Sequence, residues 1–358
     1  MKKIVITGGH HNSALVVAKD LQKNNITVEW IGHRHAANND RNDSAEYLEV
    51  NSSNIRFHVL KAGKLDTNLK NLYAIPRGFY QARQYLKHIS PDAILSFGGY
   101  LGLSVSLPAF LMGIPIYLHE QTLVAGKANV ITGKFARRIY LSWPQSAKYF
   151  RNEKTKLVGL PLRNSILHPK PHKLFANDLP TILVLCGKQG SHKINQYIFS
   201  ILDKLLLKYN IIHQTGMSSA TGDYETAMAR KDALPTKLAP SYHPVSYIGE
   251  VEIGQYLSSV DLVIGRSGAH TAYELGVLGK KALLIPYMHT TGREQYLQAK
   301  LLAESGNALI LLESNLTSNN LLSSIEKLRQ LSPATKLDLP TNASEQLIID
   351  LLKDLENI

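Results

Sequence analysis

Cysteine is almost absent from this sequence: Cys186 is the single one among 358 residues. One thiol excludes an internal disulfide and any metal site made of several thiolates. Long apolar runs are missing too, because no stretch reaches the roughly 18 residues that a membrane-spanning helix needs. Residues 1–9 have the pattern of a strand entering a glycine turn, not that of a signal peptide. These absences predict a cytoplasmic protein.

Recognisable metal-binding spacing is also lacking, since the sequence has no Asp-x-Asp pair. We therefore predict chemistry with no protein-bound metal and no other cofactor, although Mg²⁺ can associate with a diphosphate. The net charge of +12 favours an anionic partner, such as nucleic acid, an acidic membrane surface or a phosphorylated substrate. The basic residues are spread along the chain and form no nucleic-acid module, so no nucleic acid is predicted as a partner.

What the chain does have is an alternation of short apolar runs with amphipathic segments, the pattern of strands followed by helices. The first series ends with the strand-like run at residues 157–163, and a second begins at residue 181 after a polar, proline-bearing linker. Because 358 residues exceed a single core, we predict an α/β fold with two doubly wound, Rossmann-like domains that face a central cleft. The predicted domains are residues 1–162, residues 163–340, and a C-terminal helix at residues 341–358 that packs back on the first.

The most informative stretch is residues 261–274, Asp-Leu-Val-Ile-Gly-Arg-Ser-Gly-Ala-His-Thr-Ala-Tyr-Glu. Its apolar run, glycine turn and helical spacing predict a strand, a loop and a helix. The N-terminus of such a helix stabilises a phosphate through backbone N–H groups and the helix dipole. Glu274 is then placed to accept hydrogen bonds from the paired hydroxyls of a sugar. The alternative is a helix-capping acid in an ordinary α/β crossover.

Several motifs in consistent order carry a family resemblance that covers nearly the whole chain. The most specific are residues 113–121, which contain His-Glu-Gln, and residues 266–274. The others are residues 7–10, 97–100, 158–163 and 286–295. Together these motifs resemble the MurG family of glycosyltransferases. The resemblance implies a GT-B fold and inverting transfer of N-acetylglucosamine from UDP-N-acetylglucosamine to lipid I, an undecaprenyl-linked acceptor, giving lipid II for peptidoglycan at the inner face of the cell membrane.

Carried over by position, the resemblance assigns Glu274 to the ribose hydroxyls and the backbone of residues 269–273 to the diphosphate. Gln295 would contact the donor sugar, and Arg163 the uracil or the diphosphate. His10 follows the first glycines, where the family carries a histidine proposed to help deprotonate the acceptor hydroxyl. The complete set of predicted substrate-binding residues is Thr7, Gly8, Gly9, Gly98, Gly99, Thr122, Arg163, Lys188, Ser267, Gly268, Ala269, His270, Thr271, Glu274 and Gln295.

Charge and proton transfer support some of these assignments independently. Lys188 and Arg163 would stabilise the negative charge that grows on a departing diphosphate, although Lys188 also fits an ordinary surface lysine. An attacking hydroxyl needs a base with a pKa near 7, which an imidazole meets. His10 is the predicted catalytic base, but a helix-capping role is its alternative and the neighbouring His11 leaves the assignment open. Glu120 is a second base candidate, with a structural role as the alternative.

Departures from the family pattern keep other functions open. The first glycine loop is shortened, Thr122 replaces an expected asparagine, a Gly-Gly-Ser turn appears as residues 186–188, and a glutamine pair appears as residues 294–295. The donor side is thus better preserved than the acceptor side. The alternatives are a UDP-sugar transferase for another lipid acceptor and an inactive nucleotide-sugar-binding protein. A sugar-nucleotide 2-epimerase is less favoured, because these loops contain few acids.

Residues 69–89 predict a helix that carries aromatic and basic side chains, among them Tyr80, Arg77, Arg83, Leu86 and Lys87. Such a helix suits an anionic membrane surface, where each cation contributes about 1 kcal/mol. We predict reversible, peripheral membrane attachment through this helix. The alternative is the solvated face of a core helix.

Overall fold

The computed structural model describes residues 2–35, 43–61, 69–332 and 334–357, and only the backbone of residues 45, 69–75 and 291. The chain divides into two compact units. The first comprises Met1–Leu162 and Pro340–Ile358, and the second comprises Arg163–Leu339. The C-terminal segment therefore belongs to the first unit.

The first unit contains a seven-stranded parallel sheet. Its apolar runs, such as Ile4 to Ile6, are wholly buried, as expected for strands covered by helices on both faces. The strands are β1 (Lys3–Thr7), β2 (Thr27–Gly32), β3 (Arg56–Val59), β4 (Ala93–Ser96), β5 (Ile116–Glu120), β6 (Arg138–Leu141) and β7 (Thr155–Leu157), in the spatial order β3-β2-β1-β4-β5-β6-β7. The helices between them are α1 (His11–Lys23), α2 (Ala45–Ser52), α3 (Leu69–Ile89), α4 (Gly99–Leu111) and α5 (Lys127–Phe135).

The second unit repeats this construction with a six-stranded parallel sheet. Its strands are β8 (Thr181–Leu185), β9 (Asn210–Gln214), β10 (Tyr242–Val245), β11 (Leu262–Gly265), β12 (Lys281–Leu284) and β13 (Ala308–Ile310), in the order β10-β9-β8-β11-β12-β13. Its helices are α6 (Asn164–Leu167), α7 (His192–Leu206), α8 (Asp223–Ala233), α9 (Glu250–Ser259), α10 (Ala269–Leu278), α11 (Glu294–Glu304) and α12 (Ser318–Gln330).

The last helix, α13 (Ala343–Glu356), completes the core of the first unit. Leu347 and Leu351 are fully buried beside strand residues of that unit. Asp354 accepts a hydrogen bond from the Tyr117 hydroxyl at 2.7 Å, and Asp350 accepts one from Lys156 Nζ at 2.7 Å. Apolar burial and polar contacts thus both attach this helix to the sheet.

Strand order reverses once in each sheet, between β1 and β4 and between β8 and β11. In open parallel sheets, ligands bind outside the carboxyl ends of the strands at such a reversal. The loops after β1 and β4 are residues 8–10 and 97–98, and those after β8 and β11 are residues 186–191 and 266–268. All four include glycines that the sequence analysis assigned to substrate binding or to the glycine turns.

The predicted α/β class with two doubly wound parallel sheets is confirmed. Two local details differ from the expectation. Leu86 is completely buried in the core with Val5 and Ile94, so its assignment to a membrane-facing surface is wrong. The edge strand β10 includes Pro244, a residue that disfavours strand assignment from sequence but is tolerated where a sheet ends.

Candidate active site

The N-terminus of α10 lies directly after the central strand β11 of the second unit. Its N-cap residue is Gly268, which has no side chain to cap the helix, and the first turn begins with backbone N–H groups that lack intrahelical acceptors. The Ser267 hydroxyl donates to the carbonyl of Gln295 at 2.8 Å, which joins the loop to α11. This geometry, with the helix dipole behind it, is suited to an anion.

A buried ion pair lies in the second turn of α10. Arg163 Nη2 is 2.6 Å from Glu274 Oε1, and the two side chains are 13% and 1% exposed. His270, one turn earlier on the same helix, has Nδ1 3.6 Å from the same oxygen. Burial opposes ionisation of Glu274, but the charge of Arg163, its hydrogen bond to the carboxylate and the nearby imidazole of His270 outweigh it and lower the pKa of the carboxyl. Glu274 is therefore a charged group held in place, not a simple helix cap.

The loop after β8 is interlocked with the loop after β9. Met217 N donates to Lys188 O at 2.9 Å, and Gln214 Nε2 donates to Gly187 O at 2.6 Å. A side chain at Gly190 would overlap the carbonyl of Thr215, so this close approach requires glycine. The predicted phosphate residue Lys188 thus lies on a loop whose backbone is fixed by its neighbours.

Tyr247, which follows the edge strand β10, is a candidate that the sequence analysis missed. Lys188 Nζ lies 5.4 Å from the centre of its ring, a distance at which a cation and an aromatic face attract each other. The ring therefore belongs to the same strand-end surface as the predicted phosphate loop. An aromatic residue two positions after a strand end was the available signal, because such rings can stack on bases.

Gln295 and His289 lie further along this edge. The Gln295 side chain accepts a hydrogen bond from Tyr287 N at 3.0 Å through Oε1, which leaves its amide N–H groups as potential donors to a sugar. His289 is exposed, and its ring meets that of Tyr287 at 5.4 Å between centres. The structure therefore brings Gln295 to the α10 loop but shows His289 only as a surface residue.

In the first unit, the two glycine loops at the strand reversal contact each other through their backbones. Gly9 N donates to Gly98 O at 3.0 Å. Gly8 has a φ of +135°, and a Cβ there would lie 2.6 Å from the backbone of Phe97. Gly99 N donates to Asn129 Oδ1 at 3.0 Å. Gly8, Gly9, Gly98 and Gly99 are thus brought together as predicted neighbours.

Glu120 accepts hydrogen bonds from the segment that follows it, residues 122–129. Its carboxylate accepts hydrogen bonds from Thr122 N at 2.9 Å, Thr122 Oγ1 at 2.8 Å, Gly126 N at 3.3 Å and Asn129 Nδ2 at 2.7 Å. Burial raises its pKa, while these hydrogen bonds lower it, and the net direction is upward. Because Glu120 is 1% exposed, its environment favours the structural alternative over that of a base. Thr122 is buried with it, so a substrate contact there would use the backbone.

His10 is the N-cap residue of α1, yet its side chain makes no capping hydrogen bond. His11 is directed elsewhere, with Nε2 3.2 Å from Glu49 Oε2. The two neighbouring imidazoles, which the sequence did not distinguish as base candidates, therefore differ in position: His11 contacts Glu49, whereas His10 is the N-cap residue. Thr7, just before the glycines, is fully buried, and within the described ranges its hydroxyl has no hydrogen-bond partner.

Metal and membrane features can be stated for the described ranges only. There, no group of three or more His, Cys, Asp or Glu side chains is arranged to hold a metal ion. Across the same residues, every helix is too short or too polar to cross a bilayer.

The two doubly wound parallel units have the architecture of the GT-B fold, and the comparisons with known proteins identify a glycosyltransferase of that fold. Residues 6–141 match the N-terminal domain of glycosyltransferase family 28, and residues 181–352 match its C-terminal domain. The chain belongs to this family and, within it, to the MurG enzymes. The resemblance, the GT-B fold and the enzyme class expected from the sequence are thereby confirmed.

Individual relatives support this membership. The chain is 31% identical to the UDP-N-acetylglucosamine–N-acetylmuramyl-(pentapeptide) pyrophosphoryl-undecaprenol N-acetylglucosamine transferase of Clostridium botulinum strain Kyoto, over 92% of this chain and 91% of the relative. It is 32% identical to the enzyme of the same name from Actinobacillus pleuropneumoniae, over 91% and 90%. The crystal structure of Acinetobacter baumannii MurG superposes with a TM-score of 0.72 at 25% identity, covering 99% of this chain and 100% of that one.

Proposed function

We propose that the chain transfers N-acetylglucosamine from UDP-N-acetylglucosamine to lipid I, the undecaprenyl-pyrophosphoryl-muramoyl-pentapeptide, with inversion at the anomeric carbon. The product is lipid II, a precursor of peptidoglycan. The observation that carries this proposal is the charged Arg163–Glu274 pair behind the uncapped N-terminus of α10, in a chain that matches both domains of the family.

The second unit, residues 163–339, is proposed to bind the donor. The first turn of α10, from Ala269 to Thr271, binds the diphosphate, with Lys188 as a further cation. Arg163 and His270 both approach Oε1 of Glu274, so the ribose hydroxyls are assigned to Oε2. Mg²⁺ can accompany the diphosphate, but every named protein group binds the donor without it.

The first unit, residues 1–162 with the C-terminal helix, is proposed to bind the acceptor through its glycine loops. The acceptor hydroxyl attacks the anomeric carbon of the donor sugar, the bond from that carbon to the diphosphate oxygen breaks, and UDP leaves with the electron pair. His10 takes the hydroxyl proton, a role for which a pKa near 7 is suited. Its place at the strand reversal, directly after the glycine loop that follows β1, supports this assignment.

Peripheral attachment to the inner face of the membrane is proposed through α3 and the end of α4. Tyr80 and Leu111 are 65% and 77% exposed, and the two helices pack side by side. Arg77, Arg83 and Lys87 are exposed on α3. Apolar side chains beside cations favour an anionic lipid surface. Tyr80 and Leu111, not Leu86, are therefore the apolar side chains of the proposed membrane contact.

Cosedimentation with vesicles at low salt tests the membrane proposal. Replacing Arg77, Arg83 and Lys87 with serine should reduce binding to phosphatidylglycerol vesicles and leave the weak binding to phosphatidylcholine vesicles unchanged. The matched control replaces three exposed lysines of the second unit, Lys204, Lys237 and Lys300. Equal losses in both variants would mean that total charge, not the α3 surface, determines attachment.

Incubation with radiolabelled UDP-N-acetylglucosamine and lipid I, followed by chromatography, tests the proposed reaction. Labelled lipid II supports it. Donor binding by calorimetry without transfer to any lipid would instead identify a nucleotide-sugar-binding protein. Transfer only to a lipid without the muramoyl group would identify a transferase for a different acceptor.

A further inference from the structure

Arg266 connects the loops that follow four neighbouring strands. It comes directly after β11, and its side chain is 15% exposed. Nη1 donates to the carbonyl of Ile285, after β12, at 2.9 Å. Nη2 donates to the hydroxyl of Ser191, after β8, at 2.9 Å and to Oε1 of Glu313, after β13, at 2.5 Å. One guanidinium therefore fixes the relative positions of four loops at the carboxyl edge of the second sheet.

The environment of Arg266 leaves little of its charge for a ligand. Glu313 neutralises it at hydrogen-bond distance, and the ring of Tyr287 lies 5.5 Å from its guanidinium carbon. Both terminal nitrogens already donate to protein oxygens. Burial also raises the pKa of the neighbouring Cys186 to about 12, so the loop after β8 carries no thiolate at neutral pH. We therefore assign phosphate binding on this loop to Lys188, and we assign a different role to Arg266.

The role of Arg266 follows from the residues that it connects. Ser191 is the N-cap residue of α7, and Gly268, two positions after Arg266, is the N-cap residue of α10. Neither helix start is capped by a side chain, and the two follow β8 and β11, where the strand order reverses. The hydrogen bond from Arg266 to Ser191 sets the distance between these two helix N-termini.

We propose that Arg266 is a positioning residue of the donor site: by binding Ser191 and Glu313, it holds the N-termini of α7 and α10 at the spacing that a nucleoside diphosphate requires, without touching the phosphates itself. This inference rests on the proposed donor specificity. Such preorganisation matters because catalytic and binding groups lose much of their effect when displaced by about 1 Å.

Calorimetry with UDP and with uridine tests the proposal, using Arg266→Lys, Ser191→Ala and the double variant. Arg266→Lys keeps the charge but cannot bridge three partners, so UDP affinity should fall about tenfold while uridine affinity changes less than about twofold. Ser191→Ala should weaken UDP binding in the same ligand-selective way. The double variant should lose no more UDP affinity than Arg266→Lys alone, because both changes break the same hydrogen bond, the one between Arg266 and Ser191.

The matched comparison combines Lys188→Ala with Arg266→Lys. Here the loss of UDP affinity in the double variant should be closer to the sum of the two single losses. Retention of wild-type UDP affinity by Arg266→Lys would overturn the proposal, because charge alone would then suffice. Additive losses at Arg266 and Ser191, or equal losses for uridine and UDP, would also overturn it. If Arg266→Lys does not fold, Ser191→Ala alone decides through the UDP-to-uridine ratio. Failure of the wild-type chain to bind UDP would instead reject the proposed function.

Discussion

Each unit buries one glutamate near the carboxyl edge of its sheet, and the two are held in opposite ways. Glu120 is surrounded by neutral donors, the N–H groups of Thr122 and Gly126 and the amide of Asn129, and its pKa is raised by burial. Glu274 is paired with Arg163, and its pKa is lowered. Both are 1% exposed, so exposure does not distinguish them.

The difference indicates what each glutamate does. A carboxylate whose hydrogen bonds all come from one loop shapes that loop, as Glu120 does for residues 122–129. A carboxylate paired with a cation at an anion-binding helix keeps a fixed charge pair beside the site. The carboxyl edge of the second sheet is therefore held by ion pairs, with Arg266–Glu313 as another, whereas the glycine loops of the first unit contact each other through their backbones. The imidazole of His10 is the group there to which we assign proton transfer.

The largest expected effect separates the chemistry of the first unit from the binding of the second. His10→Ala should lower the single-turnover transfer rate by about 10²–10⁴-fold, because a general base typically contributes that much. UDP affinity, measured by calorimetry, should stay unchanged. His11→Ala is the matched control, and its rate should stay within a few-fold of wild type because His11 contacts Glu49. Equal rate losses in both variants would remove His10 as the base.

Glu120→Ala should be the most destabilising change in the first unit. It removes the acceptor for the N–H groups of Thr122 and Gly126 and for the amide of Asn129, whereas the Thr122 hydroxyl keeps the carbonyl of Val124 at 2.7 Å. Each buried donor left without a partner costs about 1–3 kcal/mol. The free energy of unfolding in urea should fall by at least about 3 kcal/mol. UDP affinity of the folded fraction should remain. A stable variant with weakened UDP binding would contradict the structural role.

Glu274→Gln should do the reverse and weaken UDP binding by about 1–3 kcal/mol in calorimetry, with a smaller effect on uracil alone. Both glutamine and alanine leave the charge of Arg163 without a counter-charge, and breaking a buried pair costs about 3–5 kcal/mol of stability. Glutamine is preferable because its carbonyl oxygen keeps a hydrogen-bond acceptor for Arg163 in a side chain of the same size. Arg163→Gln in the same background is the control, since it restores a neutral pair. An unchanged UDP dissociation constant in Glu274→Gln would exclude the ribose contact.

Much of this comparison could be predicted from sequence, because local signals were strong. The strand, glycine turn and helix around residue 268 follow from apolar periodicity, and the bounds of α3, Leu69–Ile89, agree with the predicted ones. The start of α1 at His11 has no such local signal: residues 11–13 have no apolar period, and contacts from His11 to Glu49 and from Ser13 to Gln121 support them. Those contacts join residues distant in sequence, which local periodicity does not encode.

The same limit applies to the site. Glu274 was identified by its place on a helix, but its partner Arg163 is 111 residues away in sequence and was assigned to the nucleotide by resemblance alone. The links from Arg266 to Ser191 and Glu313 connect four loops and have no local signature. Sequence patterns thus predicted helix α10 and the glycine turn before it, whereas the ion pairs around them required the folded chain.

The last prediction concerns a buried network of the second unit. Asn195 Nδ2 donates to Asp223 Oδ2 and to Thr215 O, so its Oδ1 must accept from His213 Nε2, at 3.0 Å. The other nitrogen, Nδ1, then accepts from the Tyr242 hydroxyl at 3.0 Å. Burial lowers the pKa of His213 to about 3, so the native imidazole is neutral and hydrogen-bonded at both nitrogens.

Because the folded pKa of His213 lies below the unfolded value of about 6.5, the unfolded state binds the proton first as pH falls. The stabilisation from this histidine is complete above pH 6.5 and is lost between there and about pH 3. Over that window, wild type should lose up to about 1.4 kcal/mol per pH unit more than His213→Gln. Urea unfolding of both proteins from pH 8 to pH 4 measures the difference, in which the shared carboxylate titrations cancel. If the free energies of unfolding of the two proteins changed in parallel with pH, folding would not lower the pKa of His213.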